Sequence, residues 1–149
     1  MNRYILSFSL LLFLSVASML RAQQPRLVEV GKGYSCTSVN TTIFRHNSLV
    51  TKGNTQYISY YDADGYLVLG KRKLKSDRWT LNRTQYKGNV KDAHNGISMM
   101  LDGEGYLHVS FDHHGHRLNY CRSVVLCINS FNGIFNYRFT KITLFISLS

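Results

Sequence analysis

Acidic residues are scarce in this chain: eight Asp and Glu stand against 18 Lys and Arg, and none follows Asp112. The resulting formal charge of +10 favours polyanionic partners such as acidic polysaccharide, nucleic acid or an anionic membrane. The basic residues are scattered rather than clustered, so solubility alone is the competing explanation. Cysteine is equally sparse. Cys36, Cys121 and Cys127 have no metal-type spacing, and Cys121 and Cys127 lie too far apart for a CxxC pair. They define no disulfide framework; one pair or buried free thiols are both open. The only proline, Pro25, falls in a polar leader, Gln23 to Lys32. No amphipathic helix can be traced after the first residues, which points to an all-β class.

A long apolar run occurs only at the beginning. Asn2 and Arg3 precede an apolar stretch from Tyr4 to Leu14, followed by small residues and a plausible cleavage position at Ala22. This is the pattern of a secretory signal over residues 1–22. Ser7, Ser9 and Ser15 interrupt the run, and about 18 apolar residues are expected of a membrane span. The expectation is therefore export to a periplasm, cell surface or medium, with no membrane span after removal of the signal. Loss of Arg3 and Arg21 lowers the charge to +8. For an exported basic protein, acidic polysaccharide is the expected partner and nucleic acid is not.

What is present is a repeat. Ser48, Gly53, Asp62, Gly65 and Arg72 return fifty residues later as Ser98, Gly103, Asp112, Gly115 and Arg122. A period near fifty residues with strand-like segments and turn glycines suggests β-propeller blades, which need neighbours to bury their apolar faces. In the first copy Gln56 to Tyr61 alternates like a half-buried strand. Asp62 to Gly65 supplies a turn, and Tyr66 to Leu69 returns. Trp79-Thr80-Leu81 reads as an outer strand. In the second copy Ile97 to Leu101 and Tyr106 to Phe111 are strands around the turn Asp102 to Gly105, and Leu118 to Cys121 follows the turn Asp112 to Gly115. The grammar fades near Val124, so the reading is a partial propeller over residues 23–123 and a non-matching tail over 124–149, either frameshifted or the start of a divergent third blade.

The second copy replaces Phe44, Ala63, Asp64 and Tyr66 with His94, His113, His114 and His116. His94 precedes one strand and His114 follows the next. If Ile97 to Leu101 pairs antiparallel with Tyr106 to Phe111, the two histidines become neighbours, because a hairpin brings the start of its first strand beside the end of its second. Imidazoles in such a pair suit general acid and base work near neutral pH. They suit zinc equally, given a third ligand from Asp92, Asp112 or His116. The cysteines and carboxylates add no spacing in favour of metal, so the cluster is read as a glycan site with no metal assigned and no cofactor expected. His108 alternates with Leu107 and Val109 within a strand and is read as structural or solvent-facing.

The stretch Asp92-Ala93-His94-Asn95-Gly96-Ile97-Ser98, with Asp102 to His116 after it, resembles the BNR-repeat family of secreted bacterial proteins. That family is similar to the ulvan lyases, polysaccharide lyases with a seven-bladed β-propeller. The resemblance covers roughly Val28 to Ser123. It implies catalytic roles for His94 and His114, with Asn95 as their neighbour in the site; Asn95 and the adjacent His113 and His116 are read as substrate-binding. It also implies β-elimination at a uronate, in which a base removes the C5 proton, a positive group neutralises the carboxylate and an acid protonates the leaving oxygen. The tyrosine and arginine that the family uses lie in later blades, so a chain holding about two blades is expected to be an inactive fragment. Two other functions compete: a non-catalytic glycan-binding propeller and a sialidase-like hydrolase. For the latter, Ser76-Asp77-Arg78-Trp79 resembles an Asp-box turn but lacks its central glycine.

Overall fold

A computed structural model describes residues 25–41 and 47–123, and the backbone of 140–144. The 1–22 leader, Phe44, Cys127 and most of the 124–149 tail lie outside the described residues. Two four-stranded antiparallel sheets make up the fold. The first is a meander of β1 (Leu49–Lys52), β2 (Thr55–Tyr61), β3 (Tyr66–Lys73) and β4 (Thr80–Lys87). The second repeats the order with β5 (Ile97–Leu101), β6 (Leu107–Phe111), β7 (Leu118–Arg122) and β8 (Thr140–Leu144). The fifty-residue repeat is thus one sheet long, as expected of propeller blades. Among the described residues the only helical element is a 3₁₀ turn, Ser38–Asn40.

Alternation decides which face of each sheet is buried. Tyr57 and Tyr61 from β2, with Leu67 and Leu69 from β3, point to the same side. From the second sheet Ile97, Met99, Leu107, Val109, Phe111 and Cys121 meet them, and Val39 and Val90 close the same core. Full burial of one such aliphatic or aromatic side chain contributes about 1.5–3 kcal/mol, so this shared interior is what joins the two blades. The opposite face of the second sheet is more polar: Ser98, His108, Ser110, Tyr120 and Arg122 lie there, with Met100 exposed.

The sequence pattern placed β5 at its observed limits and β6 within one residue. It underestimated the outer strand: β4 continues to Lys87, because past Leu81 its exposed positions are Arg83, Gln85 and Lys87 and its half-buried ones include Asn82 and Thr84, so little apolar signal remains. Backbone pairing also reaches past Arg122, where the repeat fades, since β8 pairs with β7 from Leu118↔Leu144 to Arg122↔Thr140.

The aspartates at equivalent repeat positions work differently. Asp62 caps its own turn, its Oδ1 accepting the amides of Asp64 and Tyr66 at 2.9 Å each. Asp112 instead reaches across the blade junction to accept the Asn89 amide at 2.8 Å. The turn-capping role in the second sheet belongs to Asp102, whose Oδ1 accepts the amides of Gly105 and Tyr106 at 2.7 and 2.8 Å. Gly65 and Gly115 both have positive φ, 83° and 71°, a conformation glycine adopts without the Cβ penalty. Asp77 does not tie an Asp-box turn either; it pairs with Arg26, while Ser76 Oγ accepts the Arg78 amide at 3.1 Å. Cys36 is exposed and Cys121 buried, both as free thiols. Burial pushes the Cys121 thiol up to about 12.

Candidate functional site

The loop between β4 and β5 carries Asp92, His94 and Asn95, and the turn between β6 and β7 carries His113, His114 and His116. Antiparallel pairing of β5 with β6, Ile97↔Phe111 through Leu101↔Leu107, brings the loop and the turn to the same end of the sheet.

The loop is held from below. Val90 inserts into the core, and the Val90 carbonyl accepts the Thr37 hydroxyl at 2.6 Å. The Tyr61 hydroxyl donates to the Asn95 carbonyl at 2.9 Å, which ties the loop to the first blade. Gly88 starts the loop against the hydroxyl end of Tyr61, where a Cβ would stand 2.6 Å from the ring. Within the loop, the Asp92 carbonyl accepts the Asn95 amide at 3.2 Å and Asp92 Oδ1 accepts the His94 amide at 2.9 Å. This short side-chain-to-backbone turn is the one expected of an Asx residue two positions ahead of its partner.

Asp92 then bridges both histidines. Its Oδ1 accepts from His94 Nδ1 at 2.8 Å and its Oδ2 from His114 Nδ1 at 2.7 Å. The rings stack with centroids 4.3 Å apart and planes inclined by 27°. The hydrogen bond from His114, followed by the amide and ring of His94, holds the Asp92 carboxyl far below the usual carboxylate range. An ionised carboxylate only accepts, so each ring carries a proton on Nδ1. In a neutral ring Nε2 is then the basic nitrogen. The carboxylate balances one imidazolium charge, so one protonated and one neutral ring make the charge-balanced form of the cluster. Both histidine side chains are about half exposed, at 56% and 52%.

The other expected site residues divide. His113 and His116 are exposed beside the pair, their rings 6.1 Å apart, and His116 Nδ1 bonds to the His114 carbonyl at 2.9 Å. Asn95 is placed otherwise than a substrate-facing residue would be. The residue is 1% exposed, with Nδ2 donating to the Asn89 carbonyl at 3.0 Å and its own carbonyl held by the Tyr61 hydroxyl, so the loop turns it inward. The carboxylate of Asp112, a candidate third ligand, accepts the Asn89 amide through Oδ1 at 2.8 Å and Asn119 Nδ2 through Oδ2 at 3.4 Å. The clamp formed by Asp92 was visible in sequence only as one of three possible ligands; the Asp-x-His spacing is its signal.

His108 belongs to a separate network on the outer face. Nδ1 lies 2.5 Å from the Tyr120 hydroxyl and Nε2 2.9 Å from Asp102 Oδ2, linking the β5–β6 turn to β7. The His108 hydrogen bond, with the amides of the turn, holds the Asp102 carboxyl down at about 2.

Two consecutive four-stranded meanders packed through a common core, with a polar cluster on the loops at one end, define a protein of the β-propeller class. The chain belongs to the BNR repeat-containing family, whose sequence model matches residues 55–142. That match reaches beyond Ser123 and takes in the first residues of β8. No curated protein matches the chain. Among the described residues no helix is long and apolar enough to cross a membrane.

Proposed function

We propose that the protein is an exported BNR-family propeller that processes acidic polysaccharide, with the Asp92-clamped histidine pair as its acid–base centre. One observation carries this reading: two stacked imidazoles share one carboxylate through Nδ1, so that Nε2 of a neutral ring is the basic atom at a solvent-facing rim. The reaction this arrangement suits is β-elimination at a uronate. Neutral His94 or His114 takes the C5 proton, the electron pair forms the C4–C5 double bond, and the bond to the O4 leaving group breaks as an acid protonates that oxygen. The basic surface supports an anionic polymer as substrate, and the N-terminal pattern supports export.

The test is incubation of a uronate polymer with this chain and with a full-length relative that supplies the later-blade tyrosine and arginine, followed by the ultraviolet absorbance of the unsaturated product. Product is expected from the relative with the uronate polymer and not with a neutral glycan, and silence from both proteins would sink the lyase reading. Replacing the relative's counterpart of His94 or His114 by Ala is expected to lower the rate by about 10²–10⁴-fold, the usual contribution of a general acid or base. Binding of the polymer without any product, unchanged in the two variants, would instead identify a glycan-binding propeller.

A further inference from the structure

The sequence offers two nitrogen ligands in His94 and His114 and leaves the third ligand of a metal site open between Asp92, Asp112 and His116. The fold resolves that choice. Asp112 Oδ1 accepts the Asn89 amide and its Oδ2 faces Asn119 Nδ2 at 3.4 Å and His116 Nε2 at 4.0 Å, so Asp112 and His116 turn toward each other rather than into the pair. Asp92 lies between the two rings, and one ligand atom from each of Asp92, His94 and His114 falls within 4.8 Å of the others. We propose that these three side chains bind one divalent transition-metal ion of the zinc class, and that bound metal silences the histidine base.

The donor set is two imidazoles and one carboxylate. It favours zinc-type ions over calcium or magnesium, which take oxygen ligands. Zinc bonds of about 2.0–2.2 Å in a tetrahedron set its ligand atoms roughly 3.4 Å apart. The contacts of 2.8 and 2.7 Å between Asp92 and the two rings therefore need to open by roughly 0.6 Å. Side chains that are half exposed can do so by small rotations, with the loop and turn backbones left in place. Three protein ligands leave a fourth position for water.

Coordination changes where the protons sit. A ring that ligates through Nδ1 carries its proton on Nε2: a neutral ring shifts its proton from Nδ1 to Nε2, and a protonated ring releases its Nδ1 proton to solvent. Asp92 passes from hydrogen-bond acceptor to ligand. With Nε2 protonated, neither ring can accept a proton from substrate. This inhibitory consequence rests on the acid–base reading above, whereas binding rests only on the geometry.

Titration of the 149-residue protein with Co²⁺ and Zn²⁺, read by calorimetry and by the visible absorption of bound Co²⁺, tests binding without reference to activity. One equivalent is expected to bind at micromolar concentration or tighter, with the intense absorption of a four-coordinate cobalt site. Asp92→Ala, His94→Ala and His114→Ala are each expected to weaken binding by at least about 10-fold, and His113→Ala to leave it unchanged. Equal binding in all four variants, or none in the parent protein, overturns the proposal. Ring ¹⁵N resonances of the unsubstituted protein give a check that needs no variant: Zn²⁺ must shift Nδ1 of His94 and His114, and a shift confined to other histidines refutes the site. Metal binding together with no lyase activity in the metal-free state would sink the acid–base reading alone. Activity unaffected by saturating Zn²⁺ at an occupied site would sink the inhibitory link.

Discussion

Asp92 is the residue on which the site depends, because a single carboxylate fixes two rings at once. Replacing it with Asn keeps the shape but substitutes an amide, which has one accepting oxygen and no charge. Ring ¹⁵N shifts of Asp92→Asn are therefore expected to lose the Nδ1-protonated preference of at least one histidine, and the activity proposed above should fall with it. A change in the ¹⁵N pattern of His108 instead would mean that the substitution acts through the fold. Asp102 gives an independent test at the same scale. Its carboxyl is held at about 2 in the folded protein, below the roughly 3.9 of an unfolded Asp. A depressed carboxyl stabilises the fold fully above its unfolded value and loses that contribution as pH falls towards its folded value. The thermal midpoint should thus decline between about pH 4 and pH 2, and Asp102→Asn should show a shallower decline across that window.

At the level of elements, the loop between β4 and β5 is positioned by close packing on Tyr61 rather than by its own turn chemistry. Gly88→Ala places a methyl group 2.6 Å from the Tyr61 ring, and such overpacking costs about 1–3 kcal/mol. Urea unfolding should report that loss. Histidine ring shifts should move in the same variant, because the displaced loop carries Asp92 and His94 away from His114. Unchanged histidine resonances in a destabilised Gly88→Ala protein would show that the loop is held by other contacts. Strand limits were legible where apolar alternation is strong, as in β2, β5 and β6. They were less so in β4, whose residues are mostly half-exposed or exposed. The roles of Asp102 and Asp112 were not legible, since the repeat aligns Asp112 with Asp62 while the turn geometry gives Asp62's task to Asp102.

For the whole molecule, stability resides in the core between the sheets. Phe111 is 3% exposed within it, and Met100, one strand away on the opposite face, is 56% exposed. Phe111→Ala is expected to cost about 3–5 kcal/mol and Met100→Ala within about 0.5 kcal/mol, both measured by chemical denaturation. Similar losses at the two positions would mean that the outer face is also covered. The amino-acid sequence by itself determined the all-β class, the fifty-residue blade period, the hairpin turns and, through antiparallel pairing, the proximity of His94 and His114. These depend on contacts between neighbouring strands, which local alternation and turn residues encode. Only the tertiary structure decided that Asp92 joins the two rings, that Asn95 turns inward and that His108 is locked between Asp102 and Tyr120. Those outcomes depend on where Tyr61 and Val90 pack across the junction of two blades and on how one turn meets the next strand, distances that no spacing along the chain specifies.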